Sequence, residues 1–136
     1  MKLILILLFP IISFGQPLFS KKDIIPMSAM YMAGLLTGHR EQVIYHPNQL
    51  FRQHPDLNRN FWDIRVQNKP GFMNTEWDAD HVLKSGAKLM FVTAVVFKIG
   101  HKQKWYMYIW DAAKFSGCYS LGFTTSYNII HKNKLL

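Results

Sequence analysis

Residues 76–130 read EWDADHVLKSGAKLMFVTAVVFKIGHKQKWYMYIWDAAKFSGCYSLGFTTSYNII, and they divide at Gly100–Lys104 into two apolar segments. In the first segment Leu83, Ala87, Met90, Ala94 and Phe97 recur at helical spacing and make one stripe. The opposite face starts as His81, Ser85 and Lys88 and continues as Val92, Val95 and Ile99. Residues 89–97, LMFVTAVVF, are therefore apolar all round apart from Thr93; as a helix they rise about 14 Å, half a bilayer. Phe91, Val92, Val95, Val96 and Phe97 would also suit a strand. The stripe favours a helix over residues 76–99, capped by Asn74 or Thr75, with Glu76 and Asp78 near its positive end.

The second segment predicts a helix over residues 105–130 with Trp105, Ile109, Ala112, Ser116, Tyr119, Phe123 and Tyr127 on one face. Asp111 and Lys114 lie three apart and can pair. A turn this short makes the two helices an antiparallel hairpin with facing stripes. Lys98, His101, Lys102 and Lys104 cluster with Trp105, Tyr106, Tyr108 and Trp110 at the turn, and His131, Lys132 and Lys134 lie at the far end. Basic and aromatic residues at helix ends are the composition of an interfacial belt. The hairpin can dip into a membrane or form the core of a small soluble bundle, and both readings stay open.

Upstream, residues 26–46 form a further candidate helix, opened by Pro26 and closed by Pro47. Residues 47–75 hold Pro47, Pro55, Pro70 and Gly71 among polar residues and read as loop, with a short helix over residues 56–63. The tail from His131 reads as frayed. The expected fold is all-α, about three helices ending in an apolar hairpin. Residues 1–15, MKLILILLFPIISFG, have a basic start, an apolar run, and Ser13 and Gly15 at the positions of a cleavage site. That is the layout of a signal peptide, leaving residues 16–136 as one helical domain.

Of the 136 residues 49% are hydrophobic, which excludes intrinsic disorder. Charged residues are 18%, below the globular average of about 25%. Net charge is +8. An exported chain makes nucleic acid an unexpected partner, so the cationic excess points to anionic lipid or polymer. One cysteine, Cys118, excludes an intramolecular disulfide and a cysteine-cluster zinc site. There is no phosphate-binding glycine loop, nucleophile elbow or H-E-x-x-H sequence.

Three constellations could carry chemistry. Gly34 and Gly38 form G-x-x-x-G, with Glu41 and Tyr45 continuing that face; small residues at this spacing admit a second backbone. Asp78 and His81, three apart, can offer two metal ligands from one helix. Glu41 and His46 would complete a set suited to zinc or manganese if the helices pack side by side. The plainer reading pairs Glu41 with a cation and makes Asp78 a helix cap. Phe61-Trp62, the third, is expected to anchor the polar loop to the helices.

Glu41, Tyr45-His46, Phe61-Trp62, Asn68-Lys69, Asp78/His81/Lys84 and Gly122-Phe123-Thr124 fall in a recurring order. Through them the chain resembles a family of small exported or membrane-associated proteins of bacteria and their phages. It departs from the pattern in reading Tyr-His for His-Tyr and in lacking a tryptophan before Asn-Lys. The resemblance carries no activity; it implies that Glu41, His46, His81 and Lys84 belong together.

The expected function is thus that of an exported protein of the periplasm or envelope membrane, docking its C-terminal hairpin in a membrane or a partner, without catalysis. The alternatives are a metal-dependent envelope hydrolase using Glu41, His46, Asp78 and His81, and an interaction module of a phage or cell-surface assembly.

Overall fold

A computed structural model describes residues 20–66, 78–99 and 104–131. Residues 1–15, expected as a signal peptide, Asn74 and Thr75, expected as helix caps, Glu76, most of the basic turn and the tail beyond His131 lie outside the described residues. The architecture is all-helical as expected, and the described residues contain no strand.

Ser20 opens the first helix with a capping box: its hydroxyl accepts from the Lys22 N–H, and Asp23 reaches back to the Ser20 N–H. A single 3-10 turn then leads into α1, Ile24–Tyr45. Pro26 falls in its first turn, where an N–H is not needed. Pro47 ends α1 and at once starts α2, Pro47–Gln53. α2 falls in the stretch expected as loop, because Pro47 can punctuate a loop or open a helix; the burial of Leu50 and Phe51 supplies the helical face. Asn58 caps the one-turn α3, Arg59–Trp62, by accepting from the Asn60 N–H.

Two long helices follow, α4 over Ala79–Ile99 and α5 over Trp105–Thr124, the latter running on as a π-helical segment, Thr125–Ile130. Residues 89–97 are helical, and Ala94 is fully buried. The facing of the two stripes is corrected. Both α4 and α5 lie along α1, which forms the centre of the bundle. Ile109 is 60% exposed and Phe97 51%, and Ala112 and Ser116 are exposed. The physical reason is the slimness of α1. Ala29 and Met30 take the position opposite Ala94, and Phe115, Cys118 and Tyr119 of α5 pack on the same cluster. A second cluster joins Val43 of α1, Leu50 of α2, and Ala79 and Leu83 of α4. Phe61 and Trp62 pack against it, so the aromatic pair anchors its loop as expected.

The G-x-x-x-G face admits a second backbone, as its spacing implies. It packs on α5, not α4. A Cβ on Gly34 would lie 2.1 Å from the Tyr119 carbonyl oxygen, and one on Gly38 would lie 2.8 Å from that of Phe123. Gly122 completes the crossing from the other side, where a Cβ would lie 2.0 Å from the Tyr31 carbonyl oxygen. The two backbones touch, which is the use of small residues at such spacing.

Candidate functional site

The four residues proposed as metal ligands have different surroundings. Asp78 caps α4: its Oδ1 accepts from the His81 N–H at 3.0 Å and meets His81 Nδ1 at 2.8 Å. Asp80 lies beside them, and ligand atoms of Asp78, Asp80 and His81 fall within 4.8 Å of one another. Asp80 is ion-paired to Arg40 of α1 at 2.6 Å. Glu41 stands on the other side of Arg40, 3.6 Å from it, and lines an open groove of about 540 Å³ with Thr37 and Phe123. His46 turns toward the C-terminus, its Nε2 2.7 Å from the Tyr127 hydroxyl. Helices α1 and α4 are thus joined near the expected place, but by Arg40–Asp80. Glu41 and His46 are not part of the Asp78, Asp80 and His81 group.

His46 belongs to a polar hub at this end of the bundle. His39 Nδ1 and His131 Nε2 share a hydrogen bond of 2.7 Å. The edge of Trp62 rests on His39, with ring centroids 5.3 Å apart. Far from fraying, His131 is fully buried, and its carbonyl oxygen accepts from the side-chain amides of Gln49 at 2.7 Å and Gln53 at 3.0 Å. The C-terminal end of the π-helical segment is thereby tied to α1 and α2. Burial and the neighbouring charges of His39 and His54 push His131 down to about 4, and burial with His54 pushes His39 down. Both shifts favour the neutral imidazole. His131 Nδ1 and the amide atoms of Asn128 are buried without a partner among the described residues. Nothing in the local sequence signals this hub, since its partners come from distant parts of the chain.

The opposite end holds a box of four charges. Asp23 from the start of α1 and Asp111 of α5 are both nearly inaccessible. Lys98 of α4 contacts Asp23 and lies 3.1 Å from Asp111. Lys114 lies 2.7 Å from Asp23 and 3.0 Å from Asp111. The predicted Asp111–Lys114 pair is therefore half of a larger, neutral network. Burial raises the Asp23 carboxyl, but hydrogen bonds from Lys114, Lys98 and the Ser20 N–H outweigh it and hold Asp23 at about 2. Burial likewise lowers Lys114, and its bonds to Asp23 and Asp111 more than restore it.

Around this box the outer surface is apolar. Ile24 and Ile25 of α1, Val96 and Phe97 of α4, and Trp105 and Ile109 of α5 are each at least half exposed. Among the described residues no helix is long and apolar enough to cross a membrane. Cys118 is half-buried on the cluster beneath, and burial pushes its thiol up. No protein family, curated protein or solved structure matches the chain.

Proposed function

We propose that the chain is an exported, envelope-associated helical protein that docks the apolar end of its bundle in a membrane, and that it acts as an anchor or adaptor, not as an enzyme. The observation that carries this reading is the set, or belt, of exposed apolar side chains that α1, α4 and α5 together present at the end holding the charge box, Ile24, Ile25, Val96, Phe97, Trp105 and Ile109. Isolated exposed apolar residues are ordinary; a contiguous band of Ile, Val, Phe and Trp marks an interaction surface. The charge box supports the same reading. Every charge drawn inside this end is matched by an opposite one, as entry into an apolar medium requires. Among the described residues no helix is long and apolar enough to cross a membrane, so docking to part of the bilayer fits better than spanning.

The hydrolase alternative needs Glu41 and His46 at the Asp78–His81 pair, and both side chains have other partners. Fractionation of cells making the full chain tests the proposal. The protein is expected to sediment with the membranes at physiological ionic strength. Recovery of the protein in the soluble fraction would overturn the reading.

A further inference from the structure

We propose that the surface this belt recognises is an anionic lipid leaflet, a step that rests on the membrane reading above. The argument is charge complementarity. At the belt end the carboxylates of Asp23 and Asp111 are turned inward and matched by Lys98 and Lys114. Among the described residues, the exposed charges that border the belt are of one sign. Lys21 and Lys22 are exposed immediately before Ile24 and Ile25, and Lys104 is exposed beside Trp105. On the other margin Lys84 and Lys88 are exposed on α4, four apart on one face, next to the stretch that begins at Leu89.

An apolar face with cations on both margins fits this end of the bundle lying along one leaflet, its apolar side chains among the acyl chains and the ammonium groups reaching up to the phosphates from either side. Each lysine held near an anionic surface adds attraction that a zwitterionic surface does not offer. Long lysine stems let the ammonium groups reach the headgroups while the belt lies deeper. A second copy of this chain fits less well, because it would bring the same cations against each other.

Flotation of the full chain with two kinds of vesicle tests this, one of phosphatidylcholine alone and one with about 30% phosphatidylglycerol added. Binding is expected to be at least about tenfold tighter to the anionic vesicles and to weaken with added salt. The triple variant K21Q, K22Q and K104Q, all surface changes, should retain its helical circular dichroism and lose most of that preference. K84Q with K88Q provides the same measurement from the other margin.

Equal binding to both vesicles would overturn the anionic proposal and leave the membrane reading intact. Binding to neither would overturn both. A vesicle-independent dimer that buries the belt would show that a second copy, not lipid, is the occupant. A preference that survives both sets of lysine changes would also overturn the proposal.

Discussion

His39 and His131 stand ninety-two residues apart in sequence and share a ring-to-ring hydrogen bond of 2.7 Å. The bond needs one nitrogen to donate and the other to accept, so it survives until both rings are protonated. The fold depresses both, His131 to about 4. A histidine lowered in the folded state stabilises fully above its unfolded value of about 6.5, and that stability is lost as pH falls through the folded value. Urea unfolding should therefore show the wild type losing on the order of 3 kcal/mol between pH 7 and pH 4 through this hub. In the H131F variant most of that pH dependence should vanish, because burial, the main cause of the shift, acts on the imidazole that is removed. An unchanged slope would mean that the pair does not hold the C-terminal segment.

Glycine positions separate backbone contact from open space. G34A and G122A would each drive a methyl group into a carbonyl oxygen of the facing helix, Tyr119 and Tyr31 respectively. Backbone cannot move aside as a side-chain tip can, so each should destabilise by about 3 kcal/mol or more. Gly117 lies in α5 with nothing within 4 Å of its Cβ position. G117A should instead stabilise by about 0.4–1 kcal/mol, through helix propensity and a less flexible unfolded chain. Thermal unfolding of the three variants checks the ranking.

The three long helices were legible because each carries a local signal. Pro26, Pro47 and the period of Leu83, Ala87, Met90 and Ala94 mark their limits and faces. Which helix occupies the centre was not legible. That choice depends on Gly34, Gly38 and Gly122 meeting across the fold, and a small residue in one helix does not name its neighbour. The Asp111–Lys114 pair was visible at spacing three, but Asp23 and Lys98 join it from other helices. His131 was misread for a related reason. A polar residue beside lysines at a chain end reads as solvated, and the Gln49 and Gln53 amides that bury its carbonyl come from a helix hidden behind Pro47.

Asp78 distinguishes a cap from a ligand. Its carboxylate accepts the His81 N–H at the start of α4. D78A should destabilise by about 1 kcal/mol, and D78N, which keeps an acceptor oxygen, by a few tenths. The two variants and the wild type should give the same unfolding midpoint with and without a chelator. If D78N were as damaging as D78A and the wild type lost stability on chelation, the carboxylate would be holding a metal.

The charge box makes the sharpest energetic claim, because its members are nearly inaccessible and mutually matched. Removing one charge leaves the remaining three with an unpaired partner in an apolar surrounding. D111N should cost about 3–5 kcal/mol, and K114M a similar amount. The double variant D111N with K114M removes one charge of each sign and leaves Asp23 with Lys98. Its loss should be well below the sum of the single losses, giving a coupling of roughly 1–3 kcal/mol. Asp23 supplies the acid limit. Its carboxyl is held at about 2, so its contribution is present above the ordinary carboxylate value and is lost as pH falls through about 2. Additive single losses, each under about 1 kcal/mol, would show these charges to be solvated, and would remove the internal neutrality on which entry of this end into an apolar medium depends.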